Sequence, residues 1–220
     1  MHDIDPERIA RLAAALTESD DLIEEMDARA DREGFPTVGP TVGAWLRLLA
    51  QTVDPQRGFE FGSGFGYSAY WFAEAFPPDG ELVLTEIDED ELADARDYLE
   101  RGGYADRCRF EHGDAVDIVE MVDGPLDVVL IDNEKERYPE AFAAVREKVA
   151  PGGLVFVDNA VTAGPLEFDG ILALVEGEPY DADPRTQGVA DLLVTLRDAP
   201  EFDVSLLPLG EGVAVARRRE

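Results

Sequence analysis

An apolar run from Val128 to Ile131 ends abruptly in Asp132, and Lys135 follows three residues later. A second apolar run, LVFV, ends in Asp158 and Asn159. If these runs are neighbouring strands, three oxygen donors converge at one edge of the fold. Hard oxygen ligands with open positions suit Mg²⁺, which keeps several non-protein ligands; Mn²⁺ or Ca²⁺ is the alternative. Zinc is disfavoured, because neither His2 nor His112 belongs to a cluster and Cys108, the only cysteine, lies elsewhere. Each acid also has a plainer reading. Asp132 suits a generic strand end, and Asp158 with Asn159 suits a turn.

Lys135 is conspicuous because lysine is otherwise almost absent. Of 19 basic residues, only Lys135 and Lys148 are lysine and the rest are arginine. Arginine does not give up its proton in a protein, whereas a lysine does so when burial or a nearby cation lowers its pKa. A lysine kept at this place points to proton transfer. A solvated loop lysine is the bland reading. Lys148, before VAPGG, reads as a helix C-terminal charge that complements the dipole.

The stretch FEFGSGFGYS places Gly62, Gly64 and Gly66 after a short apolar run and before a helix. Glycines there permit a tight turn and let a ligand approach the backbone at a helix N-terminus. Acids stand at three successive strand ends: Glu60, Glu86 in LTEID, and Asp114 in HGDA. An acid ending the second strand holds a ribose diol in dinucleotide sites. Glu60, ahead of the glycines, would repel a pyrophosphate but attract an ammonium group. A ligand with an adenosine half and an amino-acid half is S-adenosylmethionine.

These residues need a scaffold, and the chain alternates strand and helix patterns from residue 57 onward. GFEFG, ELVLTEI, CRFEHG, LDVVLID and LVFVDNA read as strands. YSAYWFAEAF, EDELADARDYLERGG, AVDIVEMV and RYPEAFAAVREKVA read as helices between them, the last ended by PGG. Such a βαβ series predicts a doubly wound, Rossmann-like α/β fold with a mostly parallel sheet of seven strands. The tail FDVSLLPLGEGVAVARR reads as an antiparallel hairpin at the end of that sheet. Residues 5 to 31 look helical, and TVGAWLRLLAQTV resumes the pattern with Thr41 as N-cap. GPLEFDGILALVEGEPYDADPRTQ reads as loop around a short apolar segment, and TQGVADLLVTLRDAP as a helix. One domain, 1–220, is expected: an N-terminal helical extension over 1–53 and the sheet core over 57–220.

Composition narrows the partners. Forty-nine acids against 19 bases give a net charge of −30. That field repels nucleic acid and anionic membranes at ordinary salt. It suits a surface adapted to a high-salt cytoplasm, where the Debye length shrinks to about 3 Å at 1 M. No apolar run approaches the roughly 20 residues of a membrane span. The acidic N-terminus lacks a signal-peptide pattern, and one cysteine allows no internal disulfide. A cytoplasmic protein of halophilic origin is expected.

The motifs EFGSGFGYS, TEID, GDA, LIDNEKERYPEAF and VDNA resemble those of the cation-dependent class I O-methyltransferases of the catechol and caffeoyl-CoA type. The resemblance runs from about Phe35 to the C-terminus. It implies that Glu60, Gly62, Ser63, Gly64 and Ser68 line the methionine end of S-adenosylmethionine, with the backbone of Val38 close by. Glu86 would take the ribose hydroxyls, and Asp114 and Ala115 would sit at the adenine. Asp132 and Glu134 would border the cofactor. Glu134 stands where relatives usually carry aspartate. Asp132, Asp158 and Asn159 would hold the divalent metal, and Lys135 would act as the base. Tyr138 matches a family aromatic but reads first as packing. The implied acceptor is a small vicinal dihydroxy aromatic, and the implied assembly a homodimer. Regions implied to shape the acceptor site are FPTVGP, AVTAGPLEFDG and Glu178 to Gln187; Trp45 reads first as packing on its own helix, with contact to an acceptor ring as the alternative. The rival readings are an NAD(P)-dependent oxidoreductase of the same fold, a cofactor-binding regulator without chemistry, and a methyltransferase acting on RNA.

Overall fold

The computed structural model describes residues 6 to 220; His2 and residue 5 lie outside that range. Three helices come first: α1 (Pro6–Leu16), α2 (Asp21–Glu33) and α3 (Gly39–Gln51). The alternating part follows with β1 (Arg57–Phe61), α4 (Tyr67–Ala73), β2 (Glu81–Glu86), α5 (Glu89–Arg101) and β3 (Cys108–His112). It continues with α6 (Ala115–Glu120), β4 (Leu126–Ile131), α7 (Tyr138–Val145) and β5 (Val149–Val157). Helices α8 (Phe168–Glu176) and α9 (Pro184–Asp198) then lead to β6 (Phe202–Leu207) and β7 (Val213–Arg218).

The seven strands form one sheet in the order β3-β2-β1-β4-β5-β7-β6. Strands β1 to β5 run parallel, and β7 is antiparallel to both β5 and β6. Helices cover both faces, so the central strands are apolar at nearly every position. Side chains alternate across the sheet. Phe59, Phe61, Val129, Ile131, Val155 and Val157 pack with α6, α7 and α9 on one face. Leu82, Leu84, Val128, Leu130, Leu154 and Phe156 pack with α3 and α4 on the other. The strand order reverses between β1 and β4, which opens a crevice at their C-terminal ends.

Several local expectations are corrected. The N-terminal helical stretch is two helices, because Asp20 caps α2 by accepting from Ile23 N at 2.9 Å and the segment before it leaves helix. Thr41 does not cap α3. The helix starts at Gly39 behind Val38, with no side-chain cap bond and Pro40 in its first turn. Residues 168–176 are helical, closed by Gly177 in the left-handed region at φ 84. The PGG segment does not lie between helix and strand: β5 begins at Val149 and carries it internally, with a register shift opposite Leu126–Val128. The C-terminal pair is a hairpin as expected, but its second strand, β7, lies inside the sheet and β6 forms the edge. Lys148 reaches across to α6 and donates to the carbonyls of Val119, Glu120 and Val122 at 2.6–3.0 Å. It therefore serves the end of α6, not of its own helix. Trp45 is 40% exposed and is not absorbed into the packing of α3.

Candidate active site

The crevice holds a cleft of about 270 Å³ built from the ends of β1, β2, β3, β4 and β5. Its floor is the glycine turn. Gly62 adopts φ +79, and a Cβ there would lie 2.8 Å from the carbonyl oxygen of Asp132. Only glycine lets the end of β1 come this close to the end of β4. Gly64, at φ +49, is covered by the ring of Phe35, whose Cζ would sit 2.8 Å from an added Cβ. Phe35 in turn meets Phe65 edge-on at 4.9 Å, so the FPTVGP segment is pressed over the turn.

Glu60 is fully buried beneath this turn. Ser68 donates its hydroxyl to Glu60 Oε1, and Oε2 has no partner within the protein. Burial, opposed by the Ser68 hydrogen bond, pushes the Glu60 carboxyl up to about 8. A buried carboxylate oxygen without a donor is costly, and a cationic ligand group would satisfy it. Thr85 donates to the Glu60 carbonyl at 2.6 Å, which holds β1 to β2 at this level.

Glu86 is oriented from two sides. Its Oε1 accepts from Ile87 N at 2.8 Å and Asp88 N at 3.0 Å, and its Oε2 from Gly64 N at 2.8 Å. The carboxylate keeps lone pairs toward the cleft it lines, as a ribose diol requires. Asp114 caps α6 through Val116 N at 2.9 Å, and its other oxygen accepts from Arg137 at 2.8 Å. The Arg137 guanidinium holds the Asp114 carboxyl below its ordinary value. Ala115, Ser63, Val38 and Glu134 also line the cleft.

At the other end, register pairs Ile131 with Val157. Asp132 and Asp158 are therefore adjacent, each one residue beyond its strand. Asp158 is 4% exposed and pushed up to about 8, first by burial and then by repulsion from Asp132. Asp132 is raised by burial against the pull of Lys135, whose Nζ donates to Asp132 Oδ1 at 2.8 Å. Asn159 sits at φ 53, a left-handed conformation that asparagine tolerates better than most residues. Its amide nitrogen donates to Glu211 at 2.6 Å. No group of three His, Cys, Asp or Glu side chains placed to hold a metal ion occurs among the described residues; beside Asp132 and Asp158 stands the amide of Asn159. An oxygen-only set containing two mutually repelling carboxylates fits a hard dication.

The sequence did not single out Glu211 or Arg137, both of which line the cleft; Phe35 lies in the FPTVGP segment already tied to the acceptor site, but it covers Gly64 of the glycine turn. Glu211 arrives from the turn between β6 and β7, where Ala160 N donates to the carbonyl of Gly212 at 2.8 Å. Nothing in GEG marks such a residue without the sheet order. Tyr138, read as packing, is buried, and its hydroxyl also donates to the carbonyl of Asp158 at 3.0 Å.

Known proteins resemble this chain in sequence and fold. The O-methyltransferase family model matches residues 17–219. The chain is similar to a catechol O-methyltransferase of Niastella koreensis, 34% identical over 153 residues, covering 67% of this chain and 69% of the relative. It is also similar to caffeoyl-CoA O-methyltransferase 1 of Eucalyptus globulus, at 26% identity over 83% of this chain and 74% of that one. The crystal structure of the O-methyltransferase TomG from Streptomyces achromogenes, in complex with SAM, superposes with a TM-score of 0.84. Identity there is 27%, over 99% of this chain and 100% of that one. The chain belongs to the S-adenosylmethionine-dependent O-methyltransferases, in the group that includes the catechol and caffeoyl-CoA enzymes.

Proposed function

We propose that this protein methylates one hydroxyl of a small vicinal dihydroxy aromatic acceptor. We assign Asp132, Asp158 and Asn159 to a divalent cation, Mg²⁺ or a relative such as Mn²⁺ or Ca²⁺. The observation that carries this reading is the convergence of Asp132, Lys135, Asp158 and Asn159 at one rim of a cleft that Glu86 and Ser68 also line, with Glu60 buried behind Ser68.

S-adenosylmethionine supplies an electrophilic methyl group on a sulfonium. A divalent cation held by Asp132, Asp158 and Asn159 would supply Lewis acidity that eases ionisation of an acceptor hydroxyl. The protein's part is binding, placement and charge. Glu60 and Ser68 receive the ammonium of the methionine half. Glu86 accepts from the ribose hydroxyls, while Asp114 and Ala115 border the adenine. Val38, Gly62, Ser63 and Gly64 shape the backbone wall, and Glu134 closes it near Asp132. Lys135 Nζ, as the neutral amine, takes the acceptor's hydroxyl proton or, as the ammonium, holds the resulting oxyanion. Much of the acceleration comes from setting the nucleophile about 3–3.5 Å from the methyl carbon in alignment.

Exposed Ile9, Leu12 and Leu16 form an apolar stripe on α1, which supports a homodimer through the N-terminal helices. No helix among the described residues is long and apolar enough to cross a membrane. A cytoplasmic, salt-adapted enzyme remains our reading.

The test is methyl transfer from labelled S-adenosylmethionine to catechol, caffeoyl-CoA and matched monophenols at high KCl, with and without chelator. Monomethyl ethers of the diols alone, lost on chelation and restored by Mg²⁺, are expected. Undiminished transfer after exhaustive chelation would remove the metal assignment. Equal transfer to monophenols would remove the acceptor class.

A further inference from the structure

We propose that Gly188, in α9, is a positioning residue for Lys135. The inference rests on the role proposed for Lys135 and deepens it.

Lys135 opens a short 3₁₀ turn, Lys135–Arg137, between β4 and α7. The first half of α9 lies directly on that turn. A Cβ at Gly188 would stand 2.3 Å from the carbonyl oxygen of Lys135, 2.7 Å from Cα of Glu136 and 3.1 Å from its carbonyl carbon. All three atoms are main chain, so no rotamer change relieves the clash. Gly188 sits inside a regular helix, where glycine is less favourable than alanine. What glycine provides here is proximity.

The helix has little freedom to retreat. Asp183 caps it by accepting from Arg185 N at 2.9 Å, and Pro184 occupies its first turn. Thr186 is fully buried and accepts from Glu167 N at 3.1 Å. Val189, Leu192 and Leu196 are fully buried in the core. A side chain at 188 therefore displaces the turn, and with it the Lys135 backbone whose Nζ stands 2.8 Å from Asp132. Glu60 and Glu86 lie on β1 and β2, away from this contact.

Gly188→Ala is expected to fold. It should lower kcat about tenfold to a hundredfold, the scale of an ångström-level misplacement. Affinity for S-adenosylhomocysteine should fall by less than kcat, because Glu60 and Glu86 stand on β1 and β2 while only Glu134 and, through Arg137, Asp114 follow the turn. Because the chain has two lysines, ¹³C reductive methylation gives a lysine spectrum simple enough to read. The Lys135 signal, assigned with Lys135→Arg, should move in Gly188→Ala while that of Lys148 stays. In a Lys135→Ala background, Gly188→Ala should cause no further loss.

Wild-type kcat in Gly188→Ala overturns the inference, as does a full additional loss in the Lys135→Ala background. Failure of Gly188→Ala to fold also overturns it, because the clash would then expel α9 instead of shifting the turn. The two readings separate cleanly. Undiminished turnover in Lys135→Ala removes the role of the lysine itself. Impaired Lys135→Ala beside fully active Gly188→Ala removes only the role of Gly188.

Discussion

The Tyr138 hydroxyl donates to the main-chain carbonyl of Asp158 at 3.0 Å. One fully buried side chain thereby ties the turn after β4 to the end of β5. The same ring stands 5.2 Å from Lys135 Nζ. Tyr138 thus sets the spacing between the proposed base and a proposed metal ligand.

Tyr138→Phe keeps the ring and removes the donor. A buried carbonyl is left unpaired, at a cost of about 1–2 kcal/mol. Urea unfolding should show that loss, and kcat should fall severalfold because β5 and the lysine turn are no longer tied. Stability equal to wild type would show that the bond contributes nothing.

Glu60 couples stability to pH. Its folded-state carboxyl is raised to about 8 from the ordinary 4.5. Between these values the unfolded chain has released the proton and the folded chain still holds it. Stability of the ligand-free protein therefore declines as pH rises from about 4.5 to about 8 and levels off above. Glu60→Gln should flatten that part of the profile and raise the melting temperature at pH 8. It should also weaken S-adenosylhomocysteine about tenfold to a hundredfold, the worth of a charged hydrogen bond. Thermal scans across pH with calorimetric titration test both halves.

Asp158→Asn removes a buried carboxyl that becomes a charge repelled by Asp132 only as pH rises through about 8. Above that pH the ligand-free protein should gain about 0.5–2 kcal/mol, as is common when a strained functional group is replaced. Mn²⁺ affinity, followed by paramagnetic resonance, should drop at least about tenfold, and methyl transfer should be lost. Unchanged Mn²⁺ binding would place the cation elsewhere.

The net charge of −30 predicts a salt response. The Debye length falls from about 10 Å at 0.1 M to about 3 Å at 1 M. Melting temperature should therefore rise over that range, equally in KCl and NaCl if screening is the cause. A flat response would show that ion pairs such as Arg29–Asp94, at 2.7 Å, already offset the repulsion.

Where the chain reports burial directly, the sequence was easy to read. Val128–Ile131 and Leu154–Val157 are apolar on both faces because both strands are covered, and their parallel register brings Asp132 beside Asp158. Glu60 was legible because an acid inside a buried strand end has no structural use. Glu211 was not, since one acid among 49 in a hairpin turn looks like surface until β7 is seen beside β5. Helix α8 was hidden by its length and by Gly170, which is there to admit Tyr180, whose Cε1 would lie 2.8 Å from a Cβ. The partner of Lys148 depends on where α6 ends in space, which no local pattern encodes.

The interior place of β7 has a consequence during synthesis. Until Val213–Arg218 has emerged, one side of β5 offers unpaired main-chain groups along Leu154–Val157. An uncovered apolar strand edge of that kind recruits other chains. Nascent or prematurely terminated products ending before Val213 should thus be aggregation-prone, and those ending before Glu211 also lack the partner of Asn159.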